Sequence, residues 1–185
     1  MIYEEKKDPM RDLFPEPPSL QSNILALRPL IPADAPDLLR LTGQEAVYRY
    51  LPTYLFEKQS GDMQQVIRGL YREALEDSLI LGVFRNSCFS GLAEVYGYRA
   101  PIRKASVGYR LLEECWGRGI ATEALRMITD ELLKNRGIEI ITASTMPANS
   151  ASARVLQKNG FTLVNRAVEE DWGYPEPTPA DKWIR

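Results

Sequence analysis

The sequence predicts an α/β (α+β) domain with a mixed, mostly antiparallel twisted sheet of six to seven strands and helices on both faces. Three apolar segments separated by short polar connections follow one another between residues 79 and 112, as in an antiparallel meander. Beyond residue 119 the pattern becomes helix, strand, helix, strand. The chain has 185 residues, of which 44% are hydrophobic and 26% are charged, which is enough for a real core.

The first half of the chain gives the following elements. Residues 1–22 are charged and rich in proline, so we expect an arm that is either loose or packed on a single domain formed by residues 23–185. A first strand is expected at 23–30, and an amphipathic helix within 61–78, where apolar residues recur at helical spacing. The meander strands are expected at 79–84, 91–98 and 104–112.

The second half begins with a long helix that starts directly after Gly119 and ends near Gly137. A strand, a short helix and another strand follow, at 138–145, 149–160 and 161–168. The tail from residue 171 onward contains three prolines, so it is expected to be a loop with at most a short strand near 182–185.

Composition excludes several classes of function. The net charge of -2 argues against binding to nucleic acid or to an anionic membrane surface. No stretch approaches the roughly 20 apolar residues of a membrane span, and we expect a cytoplasmic protein, either monomer or homodimer. The absence of histidine removes imidazole bases, and Cys88 and Cys115 form no metal-binding pair, so no metal is expected.

Two glycines, Gly117 and Gly119, stand at the start of the long helix. The first N–H groups of a helix lack intrahelical acceptors, and glycines let an anion approach them closely, so the N–H groups from 117 to 122 predict a phosphate site. Arg118 either adds charge there or is a solvated loop residue. The Walker pattern is absent, and Thr122 stands where a dinucleotide fingerprint requires a third glycine or an alanine.

Residues 116–121, "WGRGIA", resemble the pyrophosphate-binding motif [QR]-x-x-G-x-[GA] of the GNAT superfamily, the acyl-CoA-dependent N-acetyltransferases. Gly119 and Ala121 match it, and Trp116 replaces the first residue, as in the branch that includes the ribosomal-protein N-terminal acetyltransferases. Residues 149–161, "NSASARVLQKNGF", resemble the family segment N-x-x-S-x-x-x-L-x-K-x-G-F. The resemblance spans roughly residues 24–170 and implies the GNAT fold, with acetyl-CoA (coenzyme A) as co-substrate.

The resemblance also implies roles for individual residues. The strand that ends at Leu111 and Leu112 would separate from strand 138–145, so that its backbone groups bind the pantetheine arm. Asn149 would hydrogen-bond the same arm, cap the following helix, or do both. Ser152 would be the acid for the leaving thiolate, because Leu156 stands where many members have a tyrosine. The implied cofactor-binding residues are Leu111, Leu112, Gly117, Arg118, Gly119, Ile120, Ala121, Thr122, Asn149 and Ser152.

The general base is less determined. Ser144 stands where some members carry a glutamate, and the branch with the motif serine places an acid near Asp171. We therefore favour Asp171 or Glu170 as the base, with Glu94 on a central predicted strand as a further candidate. Acids near the site suit a cationic amine, and the segments 44–61 and 169–181 are expected to form the walls of the acceptor site.

These observations together predict an N-acetyltransferase. It would move an acetyl group from acetyl-CoA to a primary amine, either a peptide or protein N-terminus or a small amine, by direct transfer in a ternary complex. The alternative is a non-catalytic module that binds acyl-CoA as a sensor or as part of a complex.

Overall fold

The computed structural model describes residues 8–185 and contains an eight-stranded sheet. The order across the sheet is β1-β2-β3-β4-β5-β6-β8-β7, and only β5 and β6 pair in parallel. This confirms the predicted mixed, mostly antiparallel class, with one strand more than the upper expectation. The strands are β1 (Leu20–Gln21), β2 (Ala26–Arg28), β3 (Ser78–Arg85), β4 (Cys88–Arg99), β5 (Lys104–Leu111), β6 (Ile140–Thr145), β7 (Thr162–Glu170) and β8 (Thr178–Ile184).

Helices cover both faces of the sheet and bury alternate strand residues. Leu79 and Leu81 of β3 belong to the core cluster on the face that packs α5, whereas Ile80 belongs to the cluster on the face of α2 and α4. The helices are α1 (Met10–Leu13), α2 (Ala35–Thr42), α3 (Glu45–Tyr48), α4 (Met63–Leu70), α5 (Ile120–Asn135) and α6 (Ser150–Lys158). No helix among residues 8–185 has the length and apolar character needed to cross a membrane.

The helix expected within 61–78 is shorter in the structure, because α4 ends at Leu70 and residues 74–76 form a separate 3-10 turn. The Tyr71 hydroxyl donates to the Ile80 carbonyl at 2.9 Å and accepts the Leu30 N–H at 2.7 Å. These two bonds tie Tyr71 to strand β3 and to the segment after β2, which fixes the point where the chain leaves the helix.

The prediction for the tail is wrong. β8 runs from Thr178 to Ile184 and lies between β6 and β7, paired antiparallel with both. Pro175 and Pro177 stand in the connection before the strand, and Pro179 is its second residue, where a missing N–H does little harm. The prolines therefore shape the turn into the strand rather than preventing the strand.

Part of the predicted arm lies within the described residues. Met10 and Phe14 are buried in the same core cluster as α5, and the Arg136 guanidinium lies 4.7 Å from the centre of the Phe14 ring. β1 is the additional strand of the sheet. Residues 1–7 of the predicted arm lie outside the described residues.

Candidate active site

β5 and β6 pair at one end only. Their register runs from Lys104 opposite Ile140 to Ser106 opposite Thr142, and no further pairs follow among the described residues. This confirms the predicted separation of the two strands. An open cleft of about 1220 Å³ lies around the resulting gap.

The unpaired edge of β5 offers backbone groups to this cleft. The Leu112 N–H donates to the Ser90 carbonyl of β4 at 3.0 Å. Because alternate residues of an antiparallel strand direct their backbone groups to opposite edges, those of Tyr109 and Leu111 point away from β4, towards the gap. The Leu111 carbonyl accepts the indole N–H of Trp116 at 2.9 Å.

Leu112 lies outside the lining of the cleft. Its N–H bonds Ser90, its carbonyl accepts the Cys115 N–H at 2.9 Å, and its side chain is fully buried on the opposite face of the sheet. We therefore leave Leu112 out of the cofactor site and correct that expectation. The backbone groups that β5 offers to the cleft are those of Tyr109 and Leu111.

The two glycines at the helix start have left-handed backbones. Gly117 has a φ of 70° and Gly119 a φ of 76°. Residues other than glycine adopt this backbone conformation only at a cost in free energy. Gly119 is the N-cap of the 16-residue helix α5, as expected, and no side chain caps it. Apart from each glycine and its neighbours in the chain, no atom of the described residues lies within 4 Å of where a Cβ would stand, so the space in front of the helix start is open.

Most of the predicted phosphate-site residues line the cleft. Gly117 and Gly119 do so together with Ile120, Ala121 and Thr122 of the first helical turn. Arg118 is exposed and lies outside the lining. A backbone hydrogen bond is the main cause that lowers the pKa of the nearby Glu114 carboxyl, and the charge of Arg118 makes a smaller contribution.

Asn149 and Ser152 lie at the start of α6, on the opposite wall. The Asn149 side-chain oxygen accepts the Ser152 N–H at 3.1 Å, so Asn149 is the predicted helix cap. Both residues line the cleft. The Ser152 hydroxyl accepts a hydrogen bond from the Tyr109 hydroxyl of β5 at 3.0 Å. Burial raises the pKa of Tyr109 to about 12, with the bond to Ser152 opposing the rise, so the phenol is neutral over the ordinary pH range.

Glu94 belongs to a buried ionic network. The Arg110 guanidinium, with a side chain only 2% exposed, donates at 2.8 Å to one oxygen of Glu94 and at 2.8 Å to Glu57. Glu57 is completely buried and also accepts the Tyr48 hydroxyl at 3.1 Å. The other Glu94 oxygen has no hydrogen-bond partner among residues 8–185, and Glu94 lines the cleft.

Glu170 and Asp171 lie at the end of β7 and line the same cleft. The Glu170 carboxylate forms an ion pair with Lys182 and accepts the Trp172 indole N–H at 2.9 Å. Asp171 is exposed, and its carboxylate accepts the Gly173 N–H at 2.8 Å. Burial raises the pKa of Tyr54, and the Asp171 and Glu94 carboxylates add to the rise, so both charges act on the Tyr54 hydroxyl.

The two segments expected to wall the acceptor site meet in the structure. The Thr53 N–H donates to the Trp172 carbonyl at 2.8 Å, and the Tyr174 hydroxyl donates to the Leu51 carbonyl at 2.9 Å. Residues of both segments line the cleft.

A family model for the acetyltransferase (GNAT) domain matches residues 25–162. The chain belongs to the GNAT acetyltransferase family. It is therefore an acyl-CoA-dependent acetyltransferase, and its eight-stranded mixed sheet is a GNAT fold.

Relatives and solved structures agree with this assignment. The uncharacterized N-acetyltransferase YoaA of Bacillus subtilis is 28% identical over 169 residues, which cover 89% of this chain and 93% of the relative. The GNAT-family acetyltransferase of Bacillus anthracis superposes with a TM-score of 0.78 at 17% identity, covering 91% of this chain and 98% of that one. RimJ of Mycobacterium smegmatis, solved in complex with CoA-disulfide, also gives 0.78, at 22% identity, covering 91% of this chain and 87% of that one.

Sequence reasoning about this GNAT protein missed Glu57, Arg110 and the Tyr109–Ser152 bond. Glu94 and Arg110 stand on adjacent strands two register positions apart, so opposite charges on neighbouring strands of the meander were a usable signal. Glu57 offered no such signal, because it lies in a short 3-10 helix, Phe56–Lys58, that is 53 residues from Arg110. Among the described residues no group of three or more histidine, cysteine, aspartate or glutamate side chains could hold a metal ion.

Proposed function

We propose that this protein moves the acetyl group of acetyl-CoA to a primary amine, either a peptide or protein N-terminus or a small amine, by direct transfer in a ternary complex. The observation that carries this proposal is that one cleft connects the predicted cofactor residues with the candidate carboxylates. A single cleft includes the glycine loop, the unpaired edge of β5, the Ser152 hydroxyl and the carboxylates of Glu94 and Asp171.

Coenzyme A fits one half of this cleft. Its pyrophosphate binds the N–H groups of residues 117–122, where the helix dipole favours negative charge and the two glycines leave room. The pantetheine arm follows the gap and pairs with the backbone of Tyr109 and Leu111 as an added strand would. The oxygen of the Asn149 side chain caps α6 and the residue lines the cleft, which supports a hydrogen bond from its amide nitrogen to the same arm.

The carboxylates suit the acceptor half. A primary amine is mostly protonated at neutral pH, so it must bind as a cation and lose a proton before it attacks. Glu94 provides one oxygen held by Arg110 and one that has no partner among the described residues, which gives an oriented acceptor for that proton, directly or through water. Asp171 and Glu170 remain candidates for the same task. Glu170 already holds Lys182, so we favour Glu94 and place Asp171 second.

The transfer then balances without a covalent enzyme intermediate. The amine nitrogen forms its bond to the thioester carbonyl carbon, and the C–S bond breaks with its electron pair on sulfur. The bound ammonium gives one proton to the carboxylate and on to water before the attack, and the nitrogen loses a second proton by the same route as the amide forms. Coenzyme A leaves as a thiolate, which takes up a proton from water. The Ser152 hydroxyl donates a hydrogen bond to the departing sulfur, which lowers the barrier because the developing charge meets a fixed donor. The name N-acetyltransferase of the Bacillus subtilis relative supports nitrogen as the acceptor atom.

The test is a turnover assay with acetyl-CoA and a panel of peptides with free N-termini and small amines. We expect thiol release that depends on the amine, with an acetylated product detected by mass spectrometry. Ser152→Ala and Glu94→Gln should each lower kcat by roughly 100-fold while the Kd for acetyl-CoA stays unchanged, since both residues act on the reaction rather than on the pyrophosphate.

Glu139→Gln is the matched control, because it removes the charge of an exposed carboxylate that pairs with Arg103 outside the cleft. Full activity in that variant is expected. Thiol release at the same rate with and without an amine would show hydrolysis instead of transfer and would contradict the proposal. Full activity of Glu94→Gln with loss in Asp171→Asn would move the base to Asp171.

A further inference from the structure

The hydrogen bond between Tyr109 and Ser152 crosses the gap between the separated strands. Tyr109 belongs to β5 and Ser152 to the first turn of α6, and their hydroxyl oxygens are 3.0 Å apart. Both residues line the cleft at the place where the pantetheine arm of coenzyme A is proposed to run. The sequence motifs contain the serine but not the tyrosine.

The bond determines where the serine hydrogen can point. A serine hydroxyl has one hydrogen to donate and two lone pairs to accept with. Tyr109 occupies one lone pair as the donor, so the serine hydrogen cannot be directed back at the tyrosine oxygen. No described residue accepts from the Ser152 hydroxyl, while the Ser152 N–H is already bound to Asn149. The hydrogen is therefore free to point into the cleft.

The tyrosine keeps this donor role at every pH at which the enzyme can work. Burial raises its pKa to about 12, so the phenol keeps the hydrogen that it donates to Ser152. A hydroxyl that accepts one hydrogen bond is also a better donor for the next, because the bonds polarise one another.

We propose that Tyr109 is a positioning residue for the acetyl transfer, which orients and polarises the Ser152 hydroxyl so that it donates to the leaving sulfur of coenzyme A. This inference rests on the role of Ser152 in the proposed function and deepens it. Tyr109 neither gains nor loses a proton in the step, since it only holds the hydrogen bond while the C–S electron pair moves to sulfur.

A purely structural role makes different predictions. If the bond only fastened β5 to α6 across the gap, removing it would lower the melting temperature or weaken acetyl-CoA binding and would leave the rate at saturation unchanged. A positioning role acts on the transition state, so removing the hydroxyl lowers kcat. KM for acetyl-CoA and the melting temperature stay unchanged.

The experiment measures kcat, KM for acetyl-CoA and melting temperature for wild type, Tyr109→Phe, Ser152→Ala and the double variant. The phenylalanine keeps the ring and removes only the hydroxyl. We expect kcat to fall about tenfold in Tyr109→Phe, which corresponds to one hydrogen bond, with the other two quantities unchanged. In the Ser152→Ala background the same change should cause no further loss, because the tyrosine acts through the serine.

Tyr98→Phe is the matched control. Tyr98 packs against the same core cluster as Tyr109 but lies outside the cleft lining, so this variant should retain the wild-type kcat. An unchanged kcat in Tyr109→Phe beside a large loss in Ser152→Ala would overturn the inference and leave the proposed function intact. If Tyr109→Phe lowered kcat by the same factor in wild type and in Ser152→Ala, that result would also overturn the inference. Full activity of Ser152→Ala would remove the serine's role, and a wild type that transfers acetyl to no amine would overturn the proposed function itself.

Discussion

Arg110 is shared by two carboxylates, one completely buried and one facing the cleft. Glu57 comes from the short 3-10 helix Phe56–Lys58 between α3 and α4, whereas Glu94 comes from the neighbouring strand β4. The arginine therefore joins a wall of the acceptor site to the sheet beneath it. Burial of charges costs much free energy, and the hydrogen bonds on both sides of the guanidinium offset that cost.

Glu57→Gln tests this network. The change keeps the shape of the side chain but leaves Arg110 with Glu94 as its remaining partner, so the free energy of unfolding should fall by about 3 kcal/mol. Chemical denaturation of the purified protein measures it. Glu114→Gln is the control, because Glu114 forms an exposed pair with Arg40, and its loss should cost under about 1 kcal/mol. Equal stability of the two variants would show that the buried network does not stabilise the fold.

At the residue scale, local rules were sufficient for the glycine loop and insufficient for the network. The helix that begins after Gly119 depends on neighbouring residues, so the sequence predicted its start, whereas the positive φ of Gly117 and Gly119 is a finding of the structure. The pairing of Glu57 with Arg110 depends on two segments that meet only in the folded protein. Neither segment has a local sequence pattern that predicts contact with the other. The same holds for the Tyr109 hydroxyl and Ser152, which are 43 residues apart.

β8 is the element that sequence reasoning handled worst, and the reason is physical. The prolines before it mark a turn correctly, but the strand itself is stabilised by partners on both sides. Along β8, Ala180 and Asp181 are buried one after the other and Trp183 is buried as well, so burial does not alternate, and the stretch is too short for its pattern to outweigh three prolines. The meander of β3, β4 and β5 was predicted well because its partners are adjacent in sequence.

Trp183→Ala tests the contribution of β8. The Trp183 side chain is buried, and its indole N–H donates to the Thr145 hydroxyl of β6 at 2.9 Å, so truncation leaves a cavity and an unpaired hydroxyl. We expect a loss of about 3–5 kcal/mol in the free energy of unfolding. Trp116→Ala, at a tryptophan that is 48% exposed, is the comparison and should cost far less. A loss at Trp183 no greater than at Trp116 would mean that β8 is not an integral part of the sheet.

On the scale of the whole molecule, the fold places two chemically different sites at one cleft. The separation of β5 from β6 opens the gap, α5 directs its N-terminus at one end, and segments 44–61 and 169–181 close around the other. The cofactor half could be predicted because its motifs are contiguous in sequence. The acceptor half assembles from β4, β5, β7 and two connecting segments, so the sequence supplied candidate carboxylates without their partners.

The most direct test of the account is the thermal stability of the protein with and without acetyl-CoA, compared between wild type, Gly119→Glu and Gly61→Glu. Gly61 is an exposed glycine with open space around it and lies outside the cleft lining, so it receives the same carboxylate as a control. At about 100 times the Kd, mass action should raise the melting temperature of wild type and Gly61→Glu by roughly 5–10 °C. In Gly119→Glu the added charge should repel the pyrophosphate and abolish the shift, whereas an equal shift in all three proteins would contradict a cofactor bound at the start of α5.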